Sequence, residues 1–490
     1  MALPAGGVIE IRASATAGNL NGGGFNSARS GTDYTLQDAA QLTQTDGTAA
    51  GTTTFTSVAG GFTDAMKGNY LHITAATGLT VGWYEIVSVT DASNVVLDRT
   101  PGTGSAATFY VGGAMSLNST LDDELFEIGV AGNKFYIKNG TYTLGEAVSV
   151  AAAGGAQNPI RIIGYNSTRD DNPTGSTRPT INGGANTFSV GTAWHVGYVI
   201  FTGTAAAVFS SGSGSVIRNV KAINKSTTAD RDAFEARTDT MFFACEGISY
   251  RGKALHVNAI SYVFVVGCWL HESVNGIGIS GADSPRYHVL NTIISSCVTS
   301  AVAHSGGSHA NRFLFSECTF FGSTNTTGTG LTFGSSMTTI TIINCIITGF
   351  VTGVTHGAND LAGFDDFNNY HNNDTNVSNW TQGPNNVAIA PTFTNVGQVT
   401  GTAGKYAAGN DRIIDTTKDF TSLGVVAGQD CIYIISGTGV TAGIYGISSI
   451  ATTTNPNDTL VLDIAPGTNT TADKTYQITT GHNFLPTGAF

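Results

Sequence analysis

Charge is scarce in this chain. Only 11% of its 490 residues are Asp, Glu, Lys or Arg, against about 25% in an ordinary globular domain. Lys and Arg together number 22 and form no run, and the formal charge is -12. A basic face for nucleic acid or an anionic membrane is therefore excluded. No stretch approaches about 18 continuous apolar residues, so no helix of the kind that inserts in a bilayer is expected. The six cysteines, Cys245, Cys268, Cys297, Cys318, Cys345 and Cys431, include no CxxC pair. Neither a small disulfide framework nor a zinc-ribbon spacing fits them; they read as buried thiols, and no metal or cofactor is expected. The opening MALPAGGVIEIRASATAGNLNGGGFN lacks the basic and apolar regions of a signal peptide. A protein made in the cytoplasm and released to the outside by lysis is the expectation.

What is abundant is glycine, at 63 residues, in a chain that is nonetheless 41% hydrophobic. That hydrophobic share separates it from disordered sequences, which are poor in aliphatic residues and rich in charge. Val, Ile and Phe recur in short alternating runs, with Thr, Ser, Asn and Gly between them. This is the pattern of an all-β protein with many turns.

A short phrase repeats through the centre: VIRNVKAI, FFACEGIS, FVVGCWLH, HVLNTIIS, LFSECTFF and TIINCIIT. With Asn219, Cys245, Cys268, Thr292, Cys318 and Cys345 as equivalents, the steps are 26, 23, 24, 26 and 27 residues, one solenoid coil each. A second phrase comes after each marker and supplies an apolar column of Leu255, Ile277, Val302, Leu331 and Val354. A single coil cannot bury its own apolar face, so like must stack on like.

The segment NKFYIKNGTYTLGEAVSVAAAGGAQNPIRIIGYN, then RPTINGG, and the exit FNNYHNNDTNVSNWTQGPNNVAIAPTFTN resemble the first and last coils of the pectate-lyase-like right-handed β-helices. The resemblance covers Leu121 to Asn395. It implies a right-handed parallel β-helix but no activity, since the architecture hosts lyases, hydrolases, adhesins and inert spikes alike. Neither a clustered Asp set for calcium nor a catalytic arginine motif is visible.

The flanks carry a second repeat. Phe62, Gly68, Gly82 and Tyr84 match Phe420, Gly428, Gly443 and Tyr445, while Leu97, Asp98, Pro101, Gly102 and Thr103 match Leu462, Asp463, Pro466, Gly467 and Thr468. The first copy, with NGGGFN and GTDYTLQDAA, resembles N-terminal regions of β-helix proteins predicted from tailed-phage and environmental viral sequences. The organisation read from these repeats is an N-terminal attachment segment at 1–50, a β module at 51–114, the β-helix at 115–396, and a second module with a C-terminal tail at 397–490.

A glycan-cleaving helix needs two outward carboxylates. Asp230, Asp232 and Glu235 are the candidates, in TTADRDAFEARTDT, where Asp239 completes the acidic set. The alternative is a solvated turn neutralised by Arg231 and Arg237. His271 with Glu272, and Asp283, Arg286 and His288 on the next connection, read as surface pairs rather than acid–base catalysts. His304, His309, His356 and His371 lie on different coils, and Phe333 interrupts the column that would align His304 with His356, so they read as structural. Asp365 and Asp366 are assigned to turns near the exit. Tyr250, Trp269 and Tyr287 are the candidate glycan platforms, because a ring face packs on the apolar face of a sugar; Tyr370 and Trp380 offer rings near the exit.

The first functional reading is a structural protein of a tailed-phage virion: a tail spike, tail fibre or capsid decoration used in host attachment. Its partners would be other virion proteins, two further copies in a homotrimer, and host surface polysaccharide. The second is a polysaccharide-degrading spike, either a lyase or a glycoside hydrolase, and the third a bacterial surface adhesin.

Overall fold

The computed structural model describes residues 3–15, 20–117, 125–126, 128–258, 262–280, 286–304, 312–322, 328–334, 339–357, 363–391, 397–406, 411–428, 430–452, 457–467 and 473–480. They form two units. The first is Met1–Gly203 with Val208–Lys221 and Asp239–Phe243; the second is Thr204–Ala207 with Ala222–Thr238 and Ala244–Phe490.

In the first unit, strand Val8–Ile11 pairs in parallel with Lys134–Lys138, which pairs with Ile160–Tyr165, and the ladder continues through Trp194–Gly197, Val216–Arg218 and Thr240–Phe243. A second parallel ladder joins Thr141–Thr143, Thr180–Gly184 and Ile200–Gly203. Alternation decides which side chains form the core: Phe135, Ile162, Val196, Ile217 and Phe242 stack inward in register and are fully or almost fully buried.

The second unit repeats the plan. Strands Tyr262–Val266, Arg286–Leu290, Arg312–Ser316 and Thr339–Ile343 share one exposed-to-buried alternation, so Val263, Tyr287, Phe313 and Ile340 form one buried column and Val265, Val289, Phe315 and Ile342 another. In the other ladder Leu255 pairs with Ile277, Ile277 with Val302, Val302 with Leu331 and Leu331 with Val354, as the sequence spacing predicts. Burying each such side chain contributes about 1.5–3 kcal/mol, so the stack is the main source of stability along the axis. Phe333 pairs with His356 in the adjoining column, and both His304 and His356 are buried. His309, like Thr468 and Asp283, lies outside the described residues.

The cysteine column holds with one correction. Trp269 pairs with Glu246 and Ile293, and Thr319 with both Ile293 and Ile346, so the residues just before them, Cys245, Cys268, Thr292, Cys318 and Cys345, stand in line. Side chains tie them together: the Cys245 N–H donates to Cys268 Sγ at 3.4 Å, the Cys268 N–H to Thr292 Oγ1 at 3.3 Å, and the Cys345 N–H to Asn368 Oδ1 at 2.8 Å. Asn219, however, is not the earlier member. Arg218 pairs with Phe243, which gives Val220 the position that Cys245 takes one coil on, and Asn219 is instead a corner residue with φ 52°. The asparagine misled because the corner residue and the buried residue after it both recur at the coil period, one position apart.

Each flanking module is a closed six-stranded antiparallel barrel. In chain order the strands of the first are Leu42–Ala50, Thr54–Thr56, Tyr70–Leu79, Gly82–Asp91, Asn94–Leu97 and Gly102–Val111. Those of the second are Gly397–Tyr406, Arg412–Ile414, Cys431–Ser436, Gly443–Ala451, Thr459–Leu462 and Lys474–Thr480. Both close in the order first, second, fifth, fourth, third, sixth. The equivalence reaches individual atoms. Gly82 pairs with Ile73 at φ 139° and Gly443 with Ile434 at φ 147°. Tyr84 Oη donates to the Thr80 carbonyl and Tyr445 Oη to the Thr441 carbonyl, each at 2.7 Å. Asp98 accepts the Glu85 N–H, as Asp463 accepts that of Gly446.

The first module begins earlier than its repeat pattern suggests: Leu42–Ala50 is a barrel strand, and Val8–Ile11 belongs to the solenoid ladder, so neither is a free attachment segment. A buried ionic node secures this arrangement. Glu10 is fully buried, and its carboxylate meets Arg12 at 3.0 Å and Arg169 at 2.8 Å, while Arg169 also reaches Asp33 at 2.7 Å.

All six thiols are buried and reduced; burial pushes Cys297 up to about 12 and Cys345 well above the ordinary thiol range. A native-state thiol reagent should therefore modify Cys245, Cys268, Cys318 and Cys345 only as fast as the coils open. Cys268→Asp places an unpaired charge in the column and should cost at least about 3 kcal/mol in urea unfolding; a midpoint close to wild type would refute the column.

Candidate functional site

The outward face of the second unit carries one polar line across neighbouring coils. Strand Asp232–Ala236 pairs in parallel with the end of Glu246–Val257, setting Glu235 level with His256, and His256 is level with Gly278 on Trp269–Ile279. Phe234, Leu255 and Ile277 point into the core, so the alternate positions Glu235 and His256 point out.

Asp232 organises the line. Its Oδ1 accepts the Lys253 N–H at 2.8 Å and lies 3.6 Å from the Lys253 ammonium, while Oδ2 lies 2.9 Å from His256 Nδ1. The other imidazole nitrogen, Nε2, stands 2.7 Å from Ser280 Oγ. Ser280 is exposed but its backbone is fixed, because its N–H donates to the Val257 carbonyl at 3.1 Å. Gly278, level with His256, makes room for the Lys253 stem: a Cβ there would lie 2.2 Å from Lys253 Cδ.

The three predicted carboxylates thus separate in role. Asp232 is buried and paired; Asp230, with a side chain 89% exposed, lies 3.6 Å from Lys253; Glu235 lies 3.4 Å from Arg237. The reading as a solvated turn fits Asp230 and fails for Asp232.

The aromatic candidates are corrected in two of three cases. Tyr287 is buried against Phe313, with ring centroids 4.8 Å apart, and Tyr250 is buried with its Oη donating to Asp463 Oδ2 at 2.8 Å. Neither offers a ring face to a sugar. Trp269 is half-buried and stacks on His271 at 3.6 Å. Near the exit, the Tyr370 hydroxyl and Trp380 indole N–H both donate to the buried Asp365, at 3.0 and 2.9 Å, closing the end of the core.

His271 and Glu272 are likewise not a surface pair, and His288 lies within a strand rather than on a connection. The second barrel covers the pair: the Cys431 N–H donates to Glu272 Oε1 at 3.0 Å, and Tyr250, Ile248, Cys431 and Ile444 form a joint apolar cluster. Asp463 also takes Lys225 at 2.7 Å, and the Arg251 guanidinium lies over the Tyr445 ring and donates to its hydroxyl at 2.9 Å. Among the described residues no group of three or more His, Cys, Asp or Glu is arranged to hold a metal ion.

Burial works to lower the His271 pKa, but the Glu246 carboxylate hydrogen-bonded to Nε2 at 3.3 Å and the Glu272 carboxylate 3.3 Å from Nδ1 outweigh it and raise the value above the ordinary 6.5. A raised folded-state value contributes stability that is full below 6.5 and lost as pH rises through the folded value. The urea midpoint should therefore fall as pH rises from 6.5 through the folded-state value in the wild type and fall less in His271→Gln; equal slopes would remove this pair from the pH dependence.

No family model and no curated protein sequence matches the chain. Solved structures similar to it include the tailspike protein gp49 from Pseudomonas phage LKA1, at 10% identity and TM-score 0.20, over 91% of this chain and 82% of that one. The gp54 tailspike of Acinetobacter baumannii bacteriophage AP22, solved with A. baumannii capsular saccharide, gives 10% and 0.18 over 91% and 84%. The tailspike gp61 of Pseudomonas phage phi297 gives 12% and 0.18 over 90% and 80%. The fold assignment rests on the strand registers, not on these superpositions.

Proposed function

We propose that this chain is a virion surface protein of a tailed phage, a spike or fibre whose solenoid flank contacts host surface polysaccharide. The observation that carries the glycan contact is the outward line of Asp230, Lys253, His256 and Ser280, held by the buried Asp232, which runs across successive coils as an extended polymer would lie. The virion assignment draws on the resemblance of the first module and its preceding segment to phage-derived β-helix proteins. Homotrimer formation is part of the proposal. In the second unit Phe264, Val266, Leu290, Leu314 and Ile343 are half-buried on the outward face of one ladder and Phe364 is exposed beside them, an apolar stripe of the kind that symmetry mates cover.

Glycosidic cleavage by the acidic cluster is the weaker reading. It needs one carboxyl that donates a proton and another that acts as base or nucleophile. Both oxygens of Asp232 face donors, an arrangement for accepting hydrogen bonds.

Antibody labelling of purified particles and sedimentation of the free protein test the proposal together. The expected result is surface labelling and a trimer at low concentration. A stable monomer that is absent from particles would defeat it.

A further inference from the structure

We propose that Ser280, His256 and Asp232 form a serine esterase site that removes O-acyl groups from glycans. The proposal rests on the glycan-contact reading for its substrate class and on geometry for its chemistry. The geometry is that of a charge-paired nucleophile. Asp232 Oδ2 at 2.9 Å from Nδ1 selects the tautomer with the proton on Nδ1, which leaves the Nε2 lone pair directed at Ser280 Oγ 2.7 Å away. The carboxylate is itself held, by the Lys253 N–H at 2.8 Å and by the Lys253 ammonium at 3.6 Å, so it cannot swing away from the imidazole. The hydrogen-bond chain is buried at Asp232, half-buried at His256 and exposed at Ser280, so exposure rises toward the nucleophile. Gly278, level with His256, adds no side chain beside the serine.

The reaction balances with water as the only co-reactant. Ser280 Oγ attacks the ester carbonyl carbon while its proton passes to His256 Nε2. The tetrahedral intermediate collapses, the bond from carbon to the sugar oxygen breaks, and the proton on Nε2 goes to that oxygen, leaving a free hydroxyl and an acyl-Ser280. Water, deprotonated by Nε2, then attacks the acyl carbon and releases the carboxylic acid and the serine. His256 and Ser280 are the catalytic residues and Asp232 is a positioning residue. The Ser280 amide donates to Val257 and so does not serve the oxyanion.

The full-length protein is treated with a fluorophosphonate and mapped by mass spectrometry, and hydrolysis of 4-nitrophenyl acetate is monitored in parallel. The adduct should fall on Ser280. Ser280→Ala and His256→Ala should each lower the rate ~1,000-fold, and Asp232→Asn should lower kcat by a similar factor with KM unchanged. The melting temperature of Ser280→Ala should equal that of the wild type, since the side chain is exposed. No adduct at Ser280, or a wild-type rate in folded Ser280→Ala, overturns the site. Acetate release from an O-acetylated polysaccharide should also depend on Ser280; hydrolysis of the nitrophenyl ester without it overturns the sugar ester as substrate. None of these measurements depends on particle association, so failure of the virion reading is separately visible.

Discussion

From Trp194–Gly197 onward each described coil turns a corner between its two ladders through one residue in the left-handed region. Tyr198, Asn219, Ala244, Gly267, Asn291, Glu317, Asn344 and Phe367 have φ between 46° and 62°. Only one of them is glycine, so most corners accept a cost of roughly 1–2 kcal/mol. The corner also sets the environment of its successor. The next residue, in turn Val199, Val220, Cys245, Cys268, Thr292, Cys318, Cys345 and Asn368, is buried in every coil. Small side chains fit there, and Cys268, Thr292 and Asn368 each accept the N–H of the column residue one coil earlier.

The two barrels show how one module can serve two settings. In the first, Asp98 pairs with its own neighbour Arg99 at 2.5 Å, and the same guanidinium covers Tyr84 at 4.8 Å. In the second, Ile464 replaces that arginine, and the coils supply the cations instead: Lys225 meets Asp463 and Arg251 covers Tyr445. Loss of one internal arginine thus turns a self-satisfied surface into a docking surface. The pairing is buried enough to matter, because an unpartnered Asp463 would carry the desolvation penalty alone.

The solenoid and the duplication were legible in the sequence because both are periodic. The Leu255 to Val354 column emerges from spacing alone, and so does most of the cysteine column. Asn219 was misplaced by one residue because corner asparagines also recur at the coil period. The site was half legible. Asp232 was found through its acidic neighbours, but His256 and Ser280 were not, although Asp232, His256 and Ser280 succeed one another at 24-residue intervals, the length of a coil. Lateral neighbours on a solenoid are a coil apart, so a search confined to local clusters does not see them. Tyr250 and Tyr287 failed as platforms because alternation decides the face a ring occupies, and the face of Tyr250 is covered by a barrel nearly two hundred residues away in the chain.

The first barrel is an insertion within a single ladder step. Val8–Ile11 finds its parallel partner only at Lys134–Lys138, after the whole barrel and the bridge from Ile11 to Met115. During synthesis one edge of this strand takes the nearby Gly24–Phe25 and the other waits, while a module built from local antiparallel contacts can close at once. The barrel shortens the effective loop that the late pairing must close. The ladder step that the barrel interrupts is thereby closed at its base, where Ile11 bridges Met115 before Lys134–Lys138 is reached.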